Sequence, residues 1–119
     1  MIDVKTFRPE KVELLDSTLA IKYVDYIERK CVDGSKTQCL GTTSKCEEEI
    51  LIAKRIKDLG DIKDDTMLEI TDKQIVDTIF HEISHAICDD MCFHSESDKE
   101  CFIQYLGKSI RKIVEQYGV

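Results

Sequence analysis

The chain has one proline and no tryptophan. A lone proline excludes a Pro-rich linker, and no internal repeat or low-complexity tract appears. The 119 residues are therefore expected to form a single domain, residues 1–119, large enough to bury a core without staples. No apolar run approaches the length needed to cross a bilayer. The start, Met1-Ile2-Asp3-Val4-Lys5, lacks the apolar stretch of a secretory signal, so a cytoplasmic location is expected. No basic patch interrupts the net charge of −7, because the lysines are scattered. A chain of that charge repels phosphate backbones and anionic lipid surfaces, so neither a nucleic acid nor a membrane is an expected partner. The six cysteines, Cys31, Cys39, Cys46, Cys88, Cys92 and Cys101, contain no C-x2-C pair of the structural zinc type. Reduced, buried and inert thiols are expected.

What is present fits a soluble globular chain, with 42% apolar and 34% charged residues. The order of elements reads as α+β. Lys11 to Leu15 and Thr18 to Tyr26 are expected as strands around an Asp16-Ser17 turn, with Leu19, Ile21 and Tyr23 on one face. Residues 30 to 47, rich in Gly, Ser, Thr, Lys and Cys, read as a long loop with at most a short strand near Leu40. Glu48 to Ile56 is a strand candidate in which Ile50 and Ile52 alternate against Leu51 and Ala53; a helix is the competing assignment. Lys57 to Thr66 is a polar connector carrying Gly60.

Two helices follow. Thr71-Asp72-Lys73-Gln74 matches a capping box, and an apolar arc of Ile75, Val76, Ile79, Phe80, Ile83, Ala86, Ile87 and Met91 carries the first helix to about Asp90. The second is expected to start between Ser95 and Asp98 and to end at Tyr117, with Gly118 just past it and a seam of Ile103, Leu106, Ile110, Ile113, Val114 and Tyr117.

The first helix carries the pattern His81-Glu82-Ile83-Ser84-His85. Two histidines four residues apart lie about 40° apart around a helix and about 6 Å apart along it, so their imidazoles can converge on one metal ion. Glu82 falls about 100° from His81, beside such an ion, where a base for a metal-activated water belongs. Two of the chain's three histidines sit in this pattern.

Other ligands and partners stay open on spacing alone. Cys88 and Cys92 share the histidine stripe, but Cys88 is about 10 Å along the axis from His81, too far for one tetrahedral ion on a straight helix. His94 reaches the site only if the chain bends. Asp89 and Asp90 are candidates for fixing a histidine tautomer. Tyr105, Tyr117, His94 and Arg111 are candidates for stabilising an oxyanion.

The run Phe80-His81-Glu82-Ile83-Ser84-His85-Ala86-Ile87 resembles the H-E-I-x-H-A-I run of small zincin-like metallopeptidases. These include the minimal gluzincins of phages and prophages and the ImmA/IrrE-type regulatory peptidases. Gly41 to Ile52 is similar to the strand that precedes the active-site helix in that group. The resemblance covers roughly Gly41 to Val114 and is specific only around the histidines. It implies a small twisted sheet packed against the His-Glu helix and a C-terminal helix. It also implies a zinc ion held by His81, His85 and a glutamate on the next helix. Glu100, in Glu100-Cys101-Phe102-Ile103-Gln104-Tyr105-Leu106-Gly107, falls on that ligand position, although Ile103-Gln104 stands where the group carries Ala-Asn. Gln104, one turn after Glu100, is placed to orient its carboxylate. Ser97-Asp98-Lys99-Glu100 is also a capping-box sequence that would occupy Glu100 at a helix start, whereas a start at Ser95 frees it.

The function so implied is zinc-dependent hydrolysis of peptide bonds in a peptide or protein substrate. Zinc would sit on His81, His85 and Glu100, with Glu82 as the base that activates a zinc-bound water. The alternative is a zinc-stabilised regulatory or binding module with little or no hydrolysis. The strand from Glu48 to Ala53 would hold substrate backbone if it is an edge bordering the site, and Glu47-Glu48-Glu49 would then favour a basic peptide.

Overall fold

The structure, a computed structural model, describes residues 2–57 and 66–117, the side chains of His94 and Glu96 excepted. The fold is α+β. Its main sheet has the strand order β1 (Lys11–Glu13), β2 (Thr18–Val24), β6 (Glu49–Ala53), β5 (Gly41–Ser44). β2 and β6 run parallel, with Ile21 opposite Ile50 and Tyr23 opposite Ile52; the other pairings are antiparallel. Two small hairpins add β3 (Glu28–Lys30) to β4 (Lys36–Gln38), and β7 (Arg55–Lys57) to β8 (Met67–Glu69). The helices are α1 (Asp72–Asp90), α2 (His94–Ser97) and α3 (Glu100–Gln116). No helix among the described residues is long and apolar enough to cross a membrane.

Alternation positions the sheet. Leu19, Ile21, Ile50 and Ile52 point to one face and are buried there, against Ile75, Ile79 and Ala86 of α1. Strand assignment prevails over helix at 49–53, and Lys54 stands exposed at the break between β6 and β7. The other side of α1 is covered too. Val76 and Phe80 pack with Ile2, Phe7, Ile110 and Val114, and the Phe7 and Phe80 rings stack 5.5 Å apart. α1 is thus a central helix, sandwiched between the sheet and α3.

Both ends of α1 follow from local chemistry. At the start the Gln74 N–H donates to Thr71 Oγ1 and the Thr71 N–H donates back to Gln74 Oε1, each at 3.2 Å, the reciprocal box expected. At the other end Phe93 N–H donates to the Cys88 carbonyl (2.7 Å) and Cys92 N–H to the Asp89 carbonyl (3.0 Å), with Cys92 at φ 61°. This is a Schellman turn with cysteine in the position usually held by glycine. It stops the helix and folds the chain back into α2.

Several expectations are corrected. The loop expected at 30–47 contains β4 and β5, because Gly41-Thr42-Thr43-Ser44 has no apolar alternation to announce a strand. The second helix is divided: α2 ends at Ser97 and α3 starts at Glu100, with Lys99 as an N-cap lacking a side-chain hydrogen bond. Ile113 and Tyr117 of its seam are exposed rather than packed. Of the six thiols only Cys88 is buried; Cys31, Cys46, Cys92 and Cys101 are exposed and Cys39 is intermediate. Among the four exposed ones, Cys31 and Cys46 lie beside short hairpins, Cys92 in the turn after α1, and Cys101 on the first turn of α3, none of which the core covers. The connector at Gly60 and the helix end at Gly118 lie outside the described residues.

Candidate metal centre

Helical spacing brings His81 and His85 to one side of α1, their ring centroids 5.1 Å apart. α3 runs beside them because Gly107 permits close approach. A Cβ there would stand 3.2 Å from the His81 backbone nitrogen and from the Phe80 carbonyl oxygen. Glu100, the first residue of α3, is thereby carried to the histidines. Its Oε2 lies 3.0 Å from His81 Nε2 and its Oε1 lies 3.3 Å from His85 Nε2. The three residues offer ligand atoms that all lie within 4.8 Å of one another. Ligands of a tetrahedral zinc ion lie about 3.5 Å apart, so the set fits zinc with only a small closing of side chains. The carboxylate is not taken up in a helix cap, since the Ser97 hydroxyl is turned away to His85, 3.0 Å from its Nδ1.

Glu82 points into the wall between α1 and the sheet and is only 5% exposed. Thr43 of β5 donates from its hydroxyl to Glu82 Oε1 (2.8 Å) and lies 3.1 Å from the Glu82 carbonyl oxygen. Burial raises the Glu82 pKa above the usual carboxylate value; the Thr43 hydrogen bond and the two histidines oppose that rise. The carboxylate is thus a better proton acceptor than an exposed one. Gly41 leaves room for it: a Cβ at that position would come within 2.8 Å of Glu82 Cγ and Thr78 Cγ2. Gly41→Ala should therefore displace Glu82 while leaving His81, His85 and Glu100 in place. The expected cost is about 1–3 kcal/mol of stability, with any metal content unchanged and any hydrolysis reduced on the order of 10-fold. Denaturant melts and metal analysis of the variant check this.

These groups line an open cleft of about 740 Å³ that runs between β5 on one wall and α3 on the other. No family model matches the chain, and neither a curated protein nor a solved structure does. The chemistry of the cleft therefore follows from its own side chains. Two nitrogen donors and one carboxylate converge beside a buried second carboxylate. Such a set could hold a metal ion and leave one position open beside the buried carboxylate.

The structure sorts the remaining candidates. β6 is not the edge strand, since it lies between β2 and β5; the edge that borders the cleft is β5. Glu47, Glu48 and Glu49 do not line the cleft: Glu48 turns the β5–β6 hairpin at φ 55° and Glu49 pairs with Lys22 at 2.9 Å. They give no ground for a basic substrate. Asp90 accepts from Ser17 Oγ (2.6 Å) and the Asp16 N–H, tying down the β1–β2 turn rather than a histidine. Gln104 borders the cleft but makes no side-chain hydrogen bond to Glu100 among the described residues. Arg111 also borders it, with its guanidinium held by Asp77 and Glu115. Tyr105 and Tyr117 are exposed outside it. The His94 side chain lies outside those described. Sequence reasoning missed Thr43, Gly41 and, as a partner of His85, Ser97. The Thr-Thr pair of β5 was the signal for the first; Gly41 stood only at the start of the strand similar to that of the metallopeptidases, and Ser97 only at the head of a capping-box sequence.

Proposed function

We propose that the chain is a zinc-dependent peptidase of the zincin-like type, with the His-His-Glu ligand set of a gluzincin. The observation that carries this reading is the convergence of His81 Nε2, His85 Nε2 and the Glu100 carboxylate beside the buried Glu82. The resemblance of residues 80–87 to the small zincin-like metallopeptidases also supports it. Zinc, when bound, supplies Lewis-acid polarisation of the scissile carbonyl and easier ionisation of water.

The residues do the rest. His81 and His85 offer their Nε2 lone pairs and Glu100 one oxygen, which leaves one position of a tetrahedron open. Thr43 occupies Glu82 Oε1, so Oε2 is the oxygen available to a water molecule. Glu82 accepts the water's proton there as the water adds to the carbonyl, and delivers it to the amine as the C–N bond breaks. The free edge of β5 offers backbone donors and acceptors to an extended peptide lying in the cleft. Metal analysis of protein purified without chelators tests the reading. About one zinc per chain is expected, and a folded, metal-free protein that takes up no added zinc would refute it.

A further inference from the structure

Ser97 is 6% exposed and sits at the end of α2, a four-residue helix that packs against α1. Its local sequence predicts a capping role for α3, yet α3 has Lys99 as N-cap and no side-chain cap. The Ser97 hydroxyl instead meets His85 Nδ1 at 3.0 Å, across twelve residues of chain. The opposite ring nitrogen, Nε2, faces Glu100 Oε1. An imidazole that gives its Nε2 lone pair to a metal carries its proton on Nδ1, and that N–H needs an acceptor when buried. The side chain of His85 is only 16% exposed, which leaves little room for water to serve instead.

Resting on the zinc reading above, we propose that Ser97 is a positioning residue for the metal centre. Its hydroxyl accepts the His85 Nδ1–H, fixing the tautomer and the ring plane so that Nε2 points at the site. The turn through Met91, Cys92 and Phe93 that reverses the chain after α1 is what delivers this hydroxyl, and α2 is the strut that holds it. One short segment thus supplies both the ring's acceptor and, directly after it, the ligand Glu100. His81 has no such Nδ1 partner among the described residues, so the two histidines are not equivalent: His85 is preorganised by Ser97, whereas His81 meets Glu100 Oε2 and the edge of the His85 ring.

The experiment measures zinc affinity by chelator competition for wild type, Ser97→Ala and Ser97→Thr, with a ¹⁵N spectrum of the imidazoles in the zinc-loaded wild type. Ser97→Ala should bind zinc about 10-fold to 100-fold more weakly, as loss of a ligand's hydrogen-bond partner does. Ser97→Thr, which keeps the hydroxyl, should restore most of the affinity. The wild-type spectrum should show one exchange-protected Nδ1–H from His85. Equal affinity in wild type and Ser97→Ala overturns the inference while leaving the zinc site standing. Wild type that takes up no zinc overturns the zinc reading and this inference together. If Ser97→Ala does not fold, the wild-type spectrum decides, and absence of the protected Nδ1–H overturns the proposal.

Discussion

Glu82→Gln should abolish hydrolysis of any peptide the protein cleaves, by about 10²- to 10⁴-fold, and should leave zinc bound. The amide keeps the length and hydrogen-bonding reach of the side chain, so Thr43 retains a partner, but the buried carboxylate beside the two histidines, which takes the water's proton in this reading, is gone. The same change should stabilise the metal-free protein near neutral pH. Burial raises the Glu82 pKa above the ordinary carboxylate value, so the folded state holds its proton more tightly than the unfolded chain does. Its favourable contribution is complete below about pH 4.5 and is lost as pH rises through the higher folded value. At neutral pH the buried carboxylate is a load on the fold, and the neutral amide removes it. Thermal melts of metal-free wild type and variant should therefore diverge above that window, with the variant the more stable, and converge below it. If the variant keeps wild-type function in the first assay that shows any, catalysis by Glu82 is ruled out, and where that function is not hydrolysis the zinc-stabilised binding or regulatory module is the reading that stands.

Glu100→Ala should lower zinc affinity by about 100-fold or more while hardly changing the stability of the metal-free fold. The two magnitudes differ because the side chain is 61% exposed and contributes no core. As an acidic residue in the first turn of α3 it is worth about 0.3–1 kcal/mol through the helix dipole, and little else is lost with it. His81→Ala and His85→Ala should each remove most of the zinc, which sets the scale for the comparison. Chelator competition on the three variants, with denaturant melts alongside, measures both quantities. Wild-type affinity in Glu100→Ala would show that the ion takes its third ligand elsewhere, and the convergence of carboxylate and imidazoles would then be an ion pair only.

The two capping-box sequences of this chain show where local reading stops. Thr71-Asp72-Lys73-Gln74 and Ser97-Asp98-Lys99-Glu100 match the same template. The first forms its reciprocal hydrogen bonds, and the Thr71 hydroxyl also donates to Gln74 Oε1, so it is engaged within the box. The second does not form, because the Ser97 hydroxyl is buried against His85 and the carboxylate meets two imidazoles. A pattern of four residues defines what a helix start can do. Which of its side chains are already engaged depends on what the rest of the chain brings to them.

The same division holds for the whole molecule. The sequence by itself determined α1 with both histidines on one side, the start and length of that helix, β2 with its inward face, and the place of Glu82 beside the two histidines. These are properties of periodicity, set within four to twenty consecutive residues by backbone geometry. Only the tertiary structure decided that β5 rather than β6 is the edge of the cleft, that Thr43 holds Glu82 and Gly41 makes room for it, that Gly107 lets α3 approach, and that Ser97 serves His85. Each of these contacts joins residues from different elements. Their geometry is fixed by how the sheet, α1 and α3 pack, and a pairing of that kind leaves no mark in the residues on either side of it.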